Sequence, residues 1–327
     1  MIFQNVEELY EKYDSFFIDV YGVIYNGRDI FDGAHALLEK MKSAGKKIII
    51  LSNSTLISSE CKHEYEKKGI FRGIHYDEFI TSGEAFRLCF KDYIKDAKSF
   101  FPIFHRNDRL FSSLDLNESD SIETADFVYV GTLYSPEKSY TVDDLKSKSG
   151  FPIAMEDIIW TDYHDIAKFE PIAKVLDECL KYKKPLVIVN PDIFAIETVI
   201  SNNNITERPI LCQGGIGELY EKAGGEVLYF GKPCKAIYDF AKKSVANRGK
   251  TVMIGDTLWT DILGGNSAEI DTILVLTGVS GQFLEKMGNE DINKKIEKLI
   301  TEVSPKMTYK RLSTYSQTPT HIAYSFA

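Results

Sequence analysis

Only five cysteines occur in 327 residues (Cys61, Cys89, Cys179, Cys212 and Cys234), odd in number, scattered and never spaced C-x-x-C. They provide neither a disulfide framework nor a zinc-binding spacing, and the chain reads as a reduced, intracellular protein. No apolar run approaches the ~20 residues of a membrane-spanning helix. Residues 1–13 carry Glu7, Glu8 and Glu11 without a basic stretch leading into an apolar one, so no signal peptide is read and a cytoplasmic location is expected. Clustered cations are missing too: Lys and Arg number 39 against 48 Asp and Glu, a formal net charge of −9. Nucleic acid is bound through patches of Lys and Arg on phosphates, so neither nucleic acid nor membrane is an expected partner, and small polar ligands are. There is no internal repeat.

What is present is a long, 44% hydrophobic chain, enough for two domains. Strand-like and helix-like segments alternate from the start, the pattern of a mainly parallel α/β sheet. The stretch at residues 16–27, FFIDVYGVIYNG, opens it: an apolar run reaches Asp19, and a turn-forming Asn26-Gly27 follows. Residues 47–51 (KIIIL) form a second buried strand that runs into the donor-rich Ser52-Asn53-Ser54-Thr55. Residues 78–80 lead into Thr81-Ser82-Gly83, and the texture then changes. Strands are expected near 99–104, 127–133 and 186–190, with helices at 170–182 and 217–223. The first theme returns with a strand at 227–230 before Gly231-Lys232-Pro233, a helix over 235–246, a strand at 251–254 before Gly255-Asp256, and another strand at 271–276. The Ser/Thr-rich residues 305–320 read as an irregular tail before a last apolar segment, 321–326.

The expected organisation is therefore a core built from residues 1–83 and 225–327, with residues 84–224 inserted as a second domain of ordinary size. Glycines Gly83 and Gly224-Gly225 mark the junctions as hinges. If the core strands lie side by side, Asp19, Ser52, Lys232, Asp256 and, slightly beyond, Asp261 converge on one edge of the sheet, where ligands of open α/β sheets bind. Three carboxylates with a lysine and a hydroxyl suit a hard cation and a phosphate. Mg²⁺ takes oxygen ligands from one or two carboxylates plus phosphate, Ser52 and nearby N–H groups suit phosphoryl oxygens, and an ionised Asp can form an aspartyl phosphate. Singly, each residue has a plain structural use: Lys232 as a surface charge, Asp261 as a helix cap, Asp256 as a turn former. Jointly, in this order and all at strand ends, they favour chemistry.

The set D-V-Y-G-V (19–23), L-S-N-S (51–54), G-K-P (231–233) and G-D-T-L-W-T-D (255–261) resembles the four motifs of the haloacid dehalogenase (HAD) superfamily. The insert resembles the class II cap of subfamily IIA, the group of nitrophenylphosphatases, pyridoxal phosphate phosphatases and NagD-like phosphatases. T-S-G-E (81–84) and N-P-D (190–192) fit as well. The resemblance implies a Rossmann-like parallel-sheet core with an inserted α/β cap. It implies a phosphohydrolase of a small phosphorylated metabolite, with Asp19 as nucleophile and Mg²⁺ ligand and the Tyr21 carbonyl, Asp256 and Asp261 completing the metal site. Ser52, Asn53 and Gly22 would bind phosphate, Lys232 would stabilise it, and Asn190 and Asp192 would contact substrate from the cap. Caps of this subfamily often mediate dimers, so a homodimer is an expectation by analogy.

One departure stands against these matches. The superfamily's phosphatases read D-x-D in the first motif, the second Asp serving as general acid and base, and here Tyr21 occupies that place, as in a subset of the subfamily with Tyr or Trp there. A phenol with an ordinary pKa near ~10 is a poor base near neutrality. Losing general acid–base help, typically worth ~10²–10⁴-fold, implies a slow enzyme. The alternative is a catalytically weak or inactive relative that binds a phosphometabolite.

Overall fold

The computed structural model describes residues 2–103, 108–131, 170–201, 204–246, 248–307 and 314–327. Among these residues fourteen strands, numbered in chain order, form three sheets. Seven make the first sheet: β1 (Ile2–Asn5), β2 (Ser15–Ile18), β3 (Lys47–Ser52), β4 (Glu78–Thr81), β12 (Thr251–Gly255), β13 (Asp271–Val275) and β14 (His321–Ser325). Their order is β1-β14-β13-β12-β2-β3-β4, with every pairing parallel. A second parallel sheet contains β5 (Ser99–Ile103), β6 (Asn117–Glu118), β7 (Phe127–Val130), β8 (Leu186–Ile188) and β11 (Val227–Tyr229), in the order β11-β8-β7-β5-β6. β9 (Phe194–Ser201) and β10 (Asn204–Leu211) pair as an antiparallel hairpin.

The first sheet is apolar on both faces, as a parallel sheet covered by helices must be. Its strands alternate between two separate cores. Phe16, Ile18, Ile48, Ile50, Val252 and Ile254 pack on one side, while Phe17, Ile49, Leu51 and Met253 pack on the other. This period of two explains why the segments at 16–18, 47–51 and 251–254 read as near-continuous hydrophobic runs.

Three expectations change. The strand at 227–229 does not rejoin the first sheet: β11 hydrogen-bonds to β8, with Leu228 opposite Val187, so the chain re-enters the core only after it. Three apolar residues carry no mark of which sheet they join, and pairing with β8 decides the matter. Secondly, the final apolar segment is an interior strand, β14, flanked by β1 and β13. Thirdly, Gly224 and Gly225 lie between the helix Gln213–Lys222 and β11, away from any passage between sheets. Gly83 sits in the first turn of the helix Ser82–Tyr93, where a Cβ would come within 2.4 Å of the Thr55 carbonyl oxygen, so it serves close packing rather than freedom.

Among the described residues the chain passes between the sheets twice, outward through the helix Ser82–Tyr93 and back through residues 230–234 into the helix Lys235–Ser244. These passages touch. Gly231, at φ +111°, lies so close to the first that a Cβ on it would stand 2.6 Å from the Ser82 Cβ.

Candidate active site

From β2 the chain runs outward through β3 and β4, and from β12 it runs the other way through β13 and β14, so the β2/β12 crevice is the switch point of the sheet. Ligands of open parallel sheets bind at that crevice, beyond the carboxyl ends of the strands. Register makes the placement specific. Ile18 pairs with Ile254 and with Ile50, which sets Asp19 one residue past the end of β2 and Asp256 one past the end of β12.

Asp19 is 8% exposed and Lys232 is 2% exposed, and the Lys232 ammonium is paired with Asp19 Oδ1. The same ammonium lies 2.8 Å from Asp261 Oδ1. The Thr257 N–H donates to the other Asp261 oxygen at 3.2 Å, so Asp261 is anchored from both sides. Asp256 accepts from the Thr257 hydroxyl at 2.9 Å and from the Val279 N–H at 2.6 Å, the latter at the start of the helix Gly278–Lys286. Two backbones close on Asp256: a Cβ on Gly22 (φ +84°) would stand 2.1 Å from its Oδ2, and one on Gly278 (φ +52°) 2.0 Å. Only glycine fits these positions.

Charge in this cluster is unbalanced. Burial raises Asp19 to about 7, Lys232 pulling it down while Asp261 and Asp192 push it further up. Burial, then Asp19 and Asp261, hold Asp256 well above the usual carboxylate range. Burial alone would lower Lys232, but Asp19, Asp261 and Asp192 outweigh it and hold the ammonium above its ordinary value. Asp19, Asp256 and Asp261 offer oxygen atoms within 4.8 Å of one another. Three buried carboxylates against one lysine leave a shortage of positive charge that a divalent cation with a taste for oxygen would fill, and Asp19 and Asp256 are the residues suited to hold it directly.

Lys232 reaches this point although β11 belongs to the other sheet. Asn53, buried at the end of β3, grips its backbone: the Lys232 N–H donates to Asn53 Oδ1 at 2.7 Å, and Asn53 Nδ2 donates to the Lys232 carbonyl at 3.0 Å. The same Nδ2 donates to Asp192 Oδ1 at 2.8 Å. Asn53, singled out for phosphate, is thus a brace between core, lysine and second sheet, and what it can offer a ligand is its backbone N–H. Ser52 ends β3 and lines the cavity, its Oγ accepting from the Ser54 N–H at 3.2 Å. The Gly22 N–H closes its loop onto the Tyr25 carbonyl at 2.7 Å, so that glycine's contribution is the room it leaves beside Asp256.

All the expected residues except Gly22 line one cavity of about 320 Å³: Asp19, Tyr21, Ser52, Asn53, Asn190, Asp192, Lys232, Asp256 and Asp261. Tyr25, Tyr65, Thr257 and Thr260, to which no role is attached by motif or spacing, also line it. Tyr21 stands edge-on to Tyr25 at 5.8 Å, and Tyr25 stands edge-on to Tyr65 at 5.8 Å, an aromatic wall on the cavity. Burial raises the Tyr65 phenol well above its usual value, so it stays protonated.

A doubly covered parallel sheet with buried carboxylates paired to a lysine at its switch point is the architecture of an α/β enzyme core. A haloacid dehalogenase-like hydrolase family profile matches residues 16–111, and a HAD-hydrolase-like profile matches residues 229–299. The chain belongs to the HAD superfamily of hydrolases. It is 27% identical to phosphoglycolate phosphatase 2 of Arabidopsis thaliana over 85% of this chain and 87% of that one. Over 71 residues, 21% of this chain and 27% of the other, it is 44% identical to the ribonucleotide monophosphatase NagD of Escherichia coli K12. A haloacid dehalogenase-like hydrolase from Brucella suis shares the fold with a TM-score of 0.68 at 22% identity, covering 99% of both chains.

Proposed function

We propose that this hydrolase is a Mg²⁺-dependent phosphohydrolase of a small phosphorylated metabolite, working through an aspartyl phosphate on Asp19. The observation that carries the reading is the Asp19 carboxylate at the switch point, ion-paired with buried Lys232 in a cavity shared with Asp256 and Asp261. The phosphatase relatives support it. In this reading Asp19 attacks phosphorus. Ser52 and the backbone N–H of Asn53 receive the phosphoryl oxygens, Lys232 offsets their charge, and Asp256, the Tyr21 carbonyl and, through water, Asp261 serve the metal. When bound, Mg²⁺ would supply charge neutralisation for a transferring phosphoryl group. The inserted segment, extended by β11 to about residue 230, acts as the cap, and Asn190 and Asp192 reach the site from it.

A second reading, a binding protein with little turnover, is favoured by Tyr21. The test is hydrolysis of a panel of phosphate esters with Mg²⁺ by the native chain, Asp19→Asn and Tyr21→Asp. The phosphohydrolase reading expects native turnover well above the Asp19→Asn background, with Tyr21→Asp at least as active as the native chain. Native and Tyr21→Asp rates both equal to the Asp19→Asn background would leave only the binding reading.

A further inference from the structure

We propose that Asp192, on the loop after β8, is the proton donor and acceptor of this site, doing the work that Tyr21 cannot. The inference rests on the phosphohydrolase reading and adds a catalytic role to a residue so far assigned only substrate contact. Four carboxylates line the cavity: Asp19, Asp192, Asp256 and Asp261. Asp19 is the nucleophile, Asp256 is fixed by Thr257 and Val279, and Asp261 is held between Lys232 and the Thr257 N–H. A phenol is a poor base near neutrality, burial keeps the Tyr65 phenol protonated, and the Tyr25 hydroxyl already donates to the Gly27 carbonyl at 2.5 Å. Asp192 is the remaining carboxyl.

Its position is built rather than incidental. Asn53 Nδ2 donates to Asp192 Oδ1 at 2.8 Å, and Asn53 is itself pinned at both ends to the Lys232 backbone. The Asp192 N–H donates to Asn190 Oδ1 at 2.9 Å, and the Gly214 N–H donates to the Asp192 carbonyl at 3.0 Å. The Asn53 bond uses Oδ1 and leaves Oδ2 for a ligand. The ionisable groups around this carboxyl are Lys232, Asp261 and Asp19 from the core and Cys212 from the segment ahead of the helix Gln213–Lys222. Desolvation raises Asp192 to about 6, with Lys232 and the Asn53 hydrogen bond opposing and Asp261 adding to the rise. A carboxyl in that range can both give and take a proton near neutrality.

The steps balance. An Asp19 oxygen bonds to phosphorus, the bond from phosphorus to the leaving oxygen breaks, and its electron pair stays on that oxygen, which takes the Asp192 proton. Water then attacks the aspartyl phosphate and gives a proton to the Asp192 carboxylate. The Asp19–phosphorus bond breaks with its pair returning to the Asp19 oxygen, and inorganic phosphate leaves.

The experiment compares nitrophenyl phosphate, whose leaving group needs little protonation, with an alkyl ester, glycerol phosphate, using the Mg²⁺-loaded full chain. Asp192→Asn keeps an oxygen for the Asn53 bond. It is expected to lose roughly 10²–10⁴-fold in kcat on the alkyl ester and less than about tenfold on the aryl ester, whose turnover also reports that the variant is folded. In the native chain kcat/KM on the alkyl ester should fall as pH rises above about 6, and this limb should vanish in the variant. Tyr21→Asp in the Asp192→Asn background should restore alkyl turnover. Equal losses on both esters, or an unchanged alkyl rate, would overturn the proposal while leaving the phosphohydrolase reading intact. A native rate equal to Asp19→Asn on both esters would instead remove that reading, and this inference with it.

Discussion

Among the described residues Lys232 is the single cation paired with Asp19 and Asp261, and it also favours the ionised forms of Asp192 and Asp19. Removing one member of a buried ionic network costs about 3–5 kcal/mol, because the remaining charges lose their compensation. Lys232→Met should therefore lower stability by about that amount in urea unfolding at neutral pH, and the loss should shrink as the pH is lowered and the carboxylates take up protons. The direction follows from Asp19, raised to about 7 even with the lysine present. The first and last site motifs were legible because a carboxylate after an apolar strand is a local signal, as at Asp19 and Asp256. Asn53 as a brace was not: its two partners lie 139 and 179 positions away in sequence.

At the scale of elements, the helix Gln213–Lys222 abuts the Asp192 loop without clearance. A Cβ on Gly214 would stand 1.8 Å from the Pro191 carbonyl oxygen and 2.7 Å from that of Asp192. Gly214→Ala must shift that loop and with it the Asp192 carboxyl that Asn53 holds. The expected result is a drop of about tenfold or more in alkyl-ester turnover, comparable to the penalty of a misplaced catalytic group, with the aryl ester less affected and the far-UV spectrum unchanged. Strands of the first sheet could be read from their alternation, since burial on both faces leaves long apolar runs. The address of β11 could not, because three apolar residues fit either sheet and only pairing with Leu186, Val187 and Ile188 decides. The start of the helix Gly278–Lys286 carries Gly278, Ser280 and Gly281, a weak helical pattern that its contacts with Asp256 override.

For the whole molecule, the apolar interior does not divide where the two large sheets do. One cluster joins Val128, Leu186 and Ile188 of the second sheet to Leu274 of the first and to Trp259 and Val279 in the segments that follow β12 and β13. The two passages of chain between the sheets also press on each other at Gly231 and Ser82. Unfolding should therefore be cooperative, with far-UV circular dichroism and tryptophan fluorescence giving coincident denaturant midpoints. A fluorescence midpoint clearly apart from that of the backbone would show that the two parts separate first. The parallel core was legible from the order of segments, whereas this shared interior was not, since it depends on contacts between parts of the chain far apart in sequence.

The place of β14 bears on how the protein is made. Among the described residues β1 pairs with β14 alone, and β14 fills the space between β1 and β13. During translation the earliest strand must wait, unpartnered, while more than 300 residues emerge before His321–Ser325 arrive. Until then β13 presents an open edge to solvent or to any chaperone waiting there, and a ribosome stalled ahead of His321 would hold a sheet with its most adhesive surface uncovered.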